Sequence, residues 1–206
     1  MAASDGITAA VVLAGGQSRR MGGGEKFLLD LAGQSLIQHV LSRLRPQVGP
    51  VVIAANCNPT LLADCAVPVV ADAPPSRGPL SGLLAGLRWA TKHAPNCTHV
   101  LSVAADTPFI PRDLLARLRA GMKGSGSVAI ATSAGRRHPV IGLWPASIRE
   151  PLVDFLDRSA SPSMMEFLGG LDWATVDFPL ENGHDPFFNV NTPADLNEAR
   201  RRVELP

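Results

Sequence analysis

A short segment near the start of the chain concentrates glycine and positive charge. Residues 15–26 contain five glycines, two arginines and one lysine, and they follow the apolar run 7–13. Glycine has no Cβ, so backbone N–H groups in such a segment can approach an anion closely. Successive exposed N–H groups form a concave site for phosphate oxygens, and Arg19, Arg20 and Lys26 can add full charges. The segment therefore predicts a phosphate or nucleotide site; the alternative is a flexible surface loop that happens to be basic.

Two common phosphate-binding motifs are absent from the sequence. No G-x-x-x-x-G-K-[ST] occurs, because Lys26 follows Glu25 and precedes Phe27. No G-x-G-x-x-G occurs either, so the usual dinucleotide-binding motif is missing. The basic segment thus predicts a different kind of nucleotide site.

Two aspartates follow apolar stretches at positions where they could hold a ligand. Asp106 comes directly after 103–105, where an unpaired carboxylate is unfavourable unless it has a use. Carboxylate oxygens of this kind bind Mg²⁺ together with substrate phosphate and water. The alternative for Asp106 is the N-cap of a helix that begins near Pro108 or Pro111. Asp72 ends another apolar run, and by itself it is more typical of a turn than of a binding site.

Strands and helices alternate along most of the predicted secondary structure. The apolar pattern predicts strands at 7–13, 50–55, 68–71, 98–105, 128–131, 140–144 and 174–178. Caps and prolines predict helices after Ser35, Pro79, Pro111 and Thr192, and apolar spacing adds 147–158 and 162–168. The alternation up to residue 121 implies right-handed βαβ units and a parallel sheet. Ligands of such sheets bind outside the carboxyl ends of the strands, so the basic segment, Asp72 and Asp106 should converge there.

Size and composition restrict the class of protein. The chain has 206 residues, is 46% apolar, has a mean hydropathy of +0.13 and carries a net charge of +1. These values suit a single domain, residues 1–206, whose sheet is covered on both faces. No apolar segment is long enough for a membrane span, the N-terminus lacks a secretion signal, and the near-neutral charge argues against nucleic acid. Cys57, Cys65 and Cys97 form no C-x-x-C motif, so reduced thiols in the cytoplasm are expected.

The basic segment also resembles a family signature. The signature loop of the MobA-type nucleotidyltransferases, the molybdenum cofactor guanylyltransferases, is similar to Leu13-Ala14-Gly15-Gly16-x-x-x-Arg20-Met21-Gly22-x-x-x-Lys26. These enzymes are related to sugar-nucleotide and cytidylyl transferases. The resemblance extends over about residues 8–200. The fold class expected is α/β: a three-layer α/β/α Rossmann-like arrangement with a mostly parallel central sheet and a small antiparallel part.

The resemblance implies roles for residues of the predicted site. Arg20, Lys26 and Asp106 are implied to be catalytic, with Asp106 as the Mg²⁺ ligand in the segment Asp106-Thr107-Pro108. The element Gly78-Pro79-Leu80-x-Gly82 is implied to line the base-binding pocket; the alternative is a plain helix N-terminus. The residues implied to bind the nucleotide are Leu13, Ala14, Gly15, Gly16, Lys26, Asp72, Gly78, Pro79, Leu80, Gly82 and Asp106.

Two further segments resemble family elements near the second substrate. The family's F-x-N-V-N-T-P element is matched by residues 187–193, which implies that Asn189 and Asn191 lie near the substrate or the metal; ordinary turn chemistry is the alternative. The family's H-P segment is matched by Arg136-Arg137-His138-Pro139, which implies that His138 contacts the anionic pterin phosphate; a basic turn is the alternative. One departure affects base recognition: the family often has Asn-Ala-Asn after the second strand, where this chain has Ala54-Ala55-Asn56.

The implied reaction is Mg²⁺-dependent transfer of GMP from GTP to the terminal phosphate of molybdopterin, with release of pyrophosphate. Such a transfer needs positioning and charge neutralisation rather than a covalent intermediate. The implied partners are GTP and the pterin cofactor; other cofactor-biosynthesis or molybdoenzyme-maturation proteins are further candidates, and nucleic acid and membranes are not expected. Two alternatives remain open. One is a CTP-dependent cytidylyltransferase acting on the pterin or on a sugar phosphate, and the other is a carrier that binds pterin and nucleotide without catalysis.

These expectations depend on one piece of geometry. Lys26 and Asp106 must lie close enough to share one triphosphate, bridged by a divalent ion. If the folded chain placed them on opposite rims of the site, the transferase hypothesis would be lost.

Overall fold

A mixed β-sheet lies at the centre of the computed structural model, which describes residues 6–15, 24–72 and 76–204. The strands are β1 (Ile7–Leu13), β2 (Asp30–Leu31), β3 (Gln34–Ser35), β4 (Val51–Ala54), β5 (Val69–Val70), β6 (Cys97–Ala104), β7 (Val128–Ser133), β8 (Arg136–Pro145) and β9 (Trp173–Asp177). Seven of them form the central sheet in the order β5-β4-β1-β6-β8-β7-β9, and β2 pairs with β3 separately.

Strand directions in this sheet agree with the prediction. β5, β4, β1 and β6 are parallel to one another, and β9 is parallel to β7. β8 runs antiparallel to both β6 and β7 and therefore forms the antiparallel part. The mostly parallel sheet with a small antiparallel part is confirmed.

Helices cover both faces of the sheet. They are α1 (Leu36–Leu44), α2 (Pro79–His93), α3 (Leu114–Ala120), α4 (Arg149–Arg158), α5 (Met164–Leu168) and α6 (Pro193–Glu204). Alternate residues of a strand point to opposite faces, so Ala10 and Val12 of β1 pack with α1 and α3, whereas Ala9 and Val11 pack with α2, α4 and α5. The three-layer arrangement follows from this alternation. In the part of the chain that the structure describes, no helix is long and apolar enough to cross a membrane.

Helix starts follow the predicted chemistry. Ser35 forms a capping box with Gln38 at the start of α1, and Pro79 occupies the first turn of α2, where its missing N–H costs nothing. At α6, the Asp195 carboxylate accepts hydrogen bonds from the backbone N–H groups of Asn191 and Thr192, at 2.9 and 2.8 Å. These caps satisfy backbone groups that the helix itself leaves unpaired.

The register of the parallel strands brings their carboxyl ends to one level. Leu13 pairs with Ala54 and Ala104, and Ala54 pairs with Val70. The residues that follow these strands therefore leave the sheet at the same edge. Gly15 and Lys26, which are described ends of the basic segment, lie at that edge together with Asp72 and Asp106, as predicted.

Apart from the apolar residues packed on the two faces of the sheet, a separate apolar cluster attaches the C-terminal helix to this edge. Its buried members are Leu31, Leu36, Val190, Leu196 and Ala199, from β2, α1, α6 and the segment before α6. The backbone N–H of Val190 also donates to the backbone oxygen of Asp106 at 3.0 Å. The segment 187–192 is thus held beside the end of β6.

The structure corrects several expectations about local elements. β8 begins at Arg136 rather than near residue 140, because Ala134 and Gly135 make a two-residue turn with φ of +47° and +74°. The alternative of a basic turn at Arg136–His138 is therefore wrong. Asp106 is not a helix N-cap, because α3 begins at Leu114 and Asp113 precedes it.

Candidate active site

A cleft of about 500 Å³ opens at the carboxyl edge of the parallel strands. It is lined by Leu13, Ala14, Gly15, Glu25, Ala54, Ala55, Asn56, Asp72, Ser76, Gly78, Pro79, Gly82, Ala104, Asp106, Val140 and Asn189. Most of the residues predicted to bind nucleotide are among them. The cleft extends from the ends of β1 and β6 to the first turn of α2. A nucleotide could therefore lie along it with its phosphates at one end and its base at the other.

Lys26 and Asp106 are direct neighbours at one end of this cleft. They form an ion pair, and their side chains are only 15% and 13% exposed. Lys26 begins a 3₁₀ turn, Lys26–Leu28, in which Phe27 is buried and anchors the segment to the core. The Lys26 Nζ also donates to Asn191 Oδ1 at 2.7 Å. The geometry on which the transferase hypothesis depends is therefore present.

Two oxygens in this region are buried without a hydrogen-bond partner. They are Asp106 Oδ1 and Asn189 Oδ1, as far as the described residues show. Both residues line the cleft. Because a buried polar atom without a partner is unfavourable, each is a candidate for contact with a ligand or a cation. Within residues 6–15, 24–72 and 76–204 no group of three or more His, Cys, Asp or Glu side chains forms a metal site.

Asp72 belongs to a small polar network on the other side of the cleft. Asn56 Nδ2 donates to Asp72 Oδ2 at 3.1 Å, and the backbone N–H of Asp72 donates to Asn56 Oδ1 at 3.0 Å. Ser76 Oγ donates to the same carboxylate oxygen at 2.8 Å. The network fixes the ends of β4 and β5 relative to each other. Sequence reasoning left Asn56 without a role, although its place after a parallel strand was the available signal.

Glycines bring the backbone of α2 close to the cleft. Gly78, before α2, has φ +70° and ψ −150°, which favours glycine, and a Cβ there would point into open space. Gly82 packs so closely on β1 that a Cβ would lie 2.8 Å from Leu13 Cδ2. Pro79 lines the cleft, whereas Leu80 is buried in the core and could reach a ligand only through its backbone.

Other predicted site residues lie beside the cleft or outside the described residues. Asn191 contacts Lys26, and it does not line the main cleft. His138 lies two residues from Val140, which lines the cleft, but its ring is hydrogen-bonded to Ser133. Gly16 and Arg20 fall outside the described residues. Their predicted roles stay predictions.

The environment of His138 bears on its predicted contact with a phosphate. Burial lowers the pKa of the His138 imidazole; the nearby Asp185 carboxylate acts against this and Arg136 adds to it. The ring is therefore mainly neutral at neutral pH. A neutral ring has no full positive charge to offer a phosphate, and its one N–H can serve only one acceptor.

A comparison with protein families decides the class of this chain. Residues 10–171 match the model of the MobA-like NTP transferase domain. The chain belongs to this family. The MobA-like match covers the basic segment, both aspartates, α2 and the antiparallel strand β8.

Individual relatives agree with the family. The chain is 47% identical over 197 residues to a molybdenum cofactor guanylyltransferase of Bradyrhizobium sp., covering 95% of this chain and 92% of the relative. It is 44% identical to a molybdenum cofactor guanylyltransferase of Mesorhizobium japonicum, covering 95% and 96% of the two chains. The crystal structure of molybdopterin-guanine dinucleotide biosynthesis protein A from Archaeoglobus fulgidus superposes with a TM-score of 0.70 at 24% identity, covering 96% and 99%. That likeness concerns the fold.

This MobA-like NTP transferase is an enzyme of the nucleotidyltransferase class. In its cleft, the Lys26 cation and the Asp106 carboxylate lie together at one end, and the backbone at the start of α2 lies at the other. The carrier hypothesis is not favoured by these findings.

Proposed function

We propose that this MobA-like NTP transferase transfers GMP from GTP to the terminal phosphate of molybdopterin, the reaction that the names of its relatives describe. In this reaction a pterin phosphate oxygen attacks the α-phosphorus of GTP. A new P–O bond forms, the bond between the α-phosphorus and the bridging oxygen breaks, and pyrophosphate leaves with the electron pair. The observation that carries the proposal is the contact of Lys26 with Asp106, in a cleft with two buried oxygens that have no partner in the part of the chain that the structure describes.

Lys26 is proposed to stabilise negative charge on the reacting phosphates. Its ammonium group is almost buried, so its interaction with a phosphate oxygen would be screened less than at the surface. A phosphate that enters must compete with the Asp106 carboxylate for this group. Asn191 keeps the Nζ in place during that exchange, because its hydrogen bond does not involve Asp106. Arg20 is proposed to add a second positive charge.

Mg²⁺ fits the donor set at this end of the cleft. Asp106 Oδ1 and Asn189 Oδ1 are hard oxygen donors, they are buried, and they have no partner among the described residues. We propose that Asp106 holds the ion, with Asn189 close to it. When bound, Mg²⁺ would neutralise charge on the triphosphate and on the departing pyrophosphate.

The base is proposed to bind at the other end, along Asn56, Asp72, Gly78 and Gly82. The absence of side chains at the two glycines exposes backbone groups to a flat base edge. Guanine is preferred over cytosine because the relatives with 44–47% identity are named guanylyltransferases. The cytidylyl alternative is therefore not favoured. All three cysteines are unpaired, which fits the cytoplasm as the proposed location.

The decisive experiment measures pyrophosphate release from GTP in the presence of Mg²⁺ and molybdopterin. Release should require all three components, and the product should contain one GMP per pterin. CTP in place of GTP should lower kcat/KM by at least about tenfold. Without pterin, GTP at 100 times its Kd should stabilise the protein by about 2.7 kcal/mol. Tight pterin binding with no pyrophosphate release from either nucleotide would contradict the proposal.

A further inference from the structure

A buried hydroxyl connects the β7–β8 hairpin to the segment before α6. Ser133, the last residue of β7, is fully buried. Its Oγ lies 2.8 Å from His138 Nε2 and 2.7 Å from Asp185 Oδ1. The three residues come from β7, β8 and the loop after β9, so this contact links parts of the chain that are far apart in sequence.

The chemistry of the groups fixes the direction of these hydrogen bonds. An ionised carboxylate only accepts, so the single hydroxyl proton of Ser133 is donated to Asp185. The Ser133 oxygen is then the acceptor, and His138 must donate from Nε2. In this arrangement the hydroxyl proton of Ser133 is already donated to Asp185, and the side chain is fully buried. The Ser–His–Asp combination therefore does not form a nucleophilic triad.

Asp185 also holds the backbone of the loop that follows it. The backbone N–H of Phe187 donates to Asp185 Oδ1 at 2.8 Å. The Phe187 ring packs on the His138 ring, with centroids 4.9 Å apart, and edge-on against Phe178 at 5.1 Å. The first half of the segment is thus fixed by both polar and aromatic contacts.

The second half of the same segment reaches the candidate active site. Asn189 lines the cleft with its unpartnered Oδ1, and Val190 is bonded through its backbone N–H to Asp106. Asn191 accepts the hydrogen bond from Lys26. Only three residues separate Phe187 from Asn191, so a shift at Asp185 would move both asparagines relative to Lys26 and Asp106.

We propose that Ser133, His138 and Asp185 are positioning residues that hold Asn189 and Asn191 in place for the reaction. The consequence for catalysis rests on the proposed function, whereas the effect on the loop does not. The three side chains act through backbone and packing and need not touch substrate. A loop displacement of about 1 Å is expected to matter, because misplacement of this size lowers rates by as much as about 100-fold in enzymes.

The test compares Ser133→Ala with Ser127→Ala. Ser127 is also almost fully buried, at 2% exposure, and it lies next to the opposite end of β7. Among the described residues, the hydrogen-bond partners of its hydroxyl are backbone groups of Lys123 and Gly124. Amide hydrogen exchange of peptides covering 185–191 measures loop order directly. The kinetic readouts are kcat and the KM values for GTP and pterin. Asp185→Asn serves as the conservative variant, because its amide oxygen can still accept both hydrogen bonds.

Ser133→Ala should speed exchange across 185–191 by at least about fivefold and lower kcat by about tenfold, with KM for GTP changed less than about twofold. Ser127→Ala should change none of these, and Asp185→Asn should retain most of kcat. Unchanged exchange in Ser133→Ala would overturn the inference, and so would faster exchange with an unchanged kcat. If the wild-type protein released no pyrophosphate, the proposed function would fail, and the exchange result would still decide the positioning role.

Discussion

Lys26 has two partners of different kinds, a carboxylate and an amide oxygen. The Asp106 carboxylate balances its charge, and the Asn191 amide orients it. Both Lys26 and Asp106 are mostly buried, so neither charge is well solvated if the other is removed. The pair that is proposed to act in the reaction therefore also affects the stability of the fold, and the two contributions can be separated by mutation.

Comparing one single substitution with one double substitution separates the two contributions. Lys26→Met leaves the Asp106 carboxylate buried without its partner and should lower the free energy of unfolding by about 1–3 kcal/mol. Lys26→Met with Asp106→Asn should recover most of that loss, because no unpaired charge remains. Both proteins should nevertheless lose at least about 100-fold in kcat/KM. Urea unfolding and pyrophosphate release are the measurements.

Lys123→Met is the matched control for Lys26→Met. Lys123 pairs with Asp172 at 3.2 Å, but both side chains are about 60% exposed, at 59% and 62%. Exposed pairs contribute about 0–1 kcal/mol, so stability should change little and activity not at all. A double mutant less stable than Lys26→Met, or a Lys26→Met protein with a tenth of wild-type activity, would count against the assignment.

His99 gives the fold a dependence on pH. Its ring is buried between Thr98 and Ser125, and burial lowers the pKa of its imidazole, with the Ser125 carbonyl opposing and Arg119 adding to the shift. Below the unfolded-state pKa of about 6.5, the unfolded chain binds a proton that the folded chain does not. The stabilising contribution of neutral His99 is thus complete above that pH and is lost as the pH falls.

The free energy of unfolding should therefore decrease between pH 7 and pH 5. The slope is at most about 1.4 kcal/mol per pH unit for each proton involved. His138 contributes in the same direction, since burial also lowers its pKa. In His99→Gln the decrease should be smaller than in wild type, as measured by urea unfolding at several pH values. An equal slope in both proteins would show that His99 does not contribute.

At the scale of elements, α2 depends on two glycines one turn apart. Gly82 and Gly86 lie on the face of α2 that packs against β1. A Cβ at Gly86 would lie 2.6 Å from Val11 Cβ. A Cβ at Gly82 would clash with the tip of Leu13, at 2.8 Å, and its other neighbours, Ala54 Cβ and Asp72 Oδ1, would lie at 3.4 and 3.6 Å. The branched Val11 is stiff and buried, but the end of Leu13 can rotate. The two positions therefore differ in what an added methyl group would displace.

This difference predicts that the same substitution has different effects at the two positions. Gly86→Ala should lower the free energy of unfolding by about 1–3 kcal/mol through overpacking and leave GTP affinity unchanged. Alanine favours the helix by about 1 kcal/mol at both positions, so the difference comes from the neighbours: Gly82→Ala should cost less stability because the end of Leu13 can rotate. That rotation should push Leu13 into the cleft and weaken GTP binding. Unfolding curves and GTP titrations measure both effects. Equal losses of affinity in the two variants would contradict this reading of α2.

The order of the elements and the edge that carries the site were predictable from local sequence patterns. Apolar runs gave the strands, and Ser35 and Pro79 gave helix starts. The early start of β8 was not predictable, because alanine at position 134 adopts φ +47°, which its residue type does not indicate. The hydrogen bond from Ser133 to Asp185 joins residues 52 positions apart, and no local pattern encodes such a contact.

At the scale of the whole molecule, the candidate site is assembled from both ends of the chain. The hydrogen bond from Lys26 to Asn191 spans 165 positions in sequence. Between them, β1, β6 and α6 must all be in place for the contact to form. That residues 1–206 form one domain stays a prediction, and this arrangement gives it a physical reason: a site closed by such distant residues requires the sheet and the C-terminal helix to fold together.

Cooperative unfolding tests that prediction, and the three tryptophans are suitable probes. Trp89 lies in α2, Trp144 is fully buried in β8, and Trp173 lies in the edge strand β9. In three variants, each keeping one tryptophan and carrying phenylalanine at the other two positions, the fluorescence midpoint in urea should equal the far-UV circular dichroism midpoint of the same protein. Comparing the two signals within one variant removes the effect of the substitutions on stability.

If the Trp173 fluorescence changed at lower urea than the circular dichroism signal, β7, β8 and β9 would unfold separately from the nucleotide-binding half. Added GTP would then shift only the Trp89 transition; in a single domain it shifts all three equally.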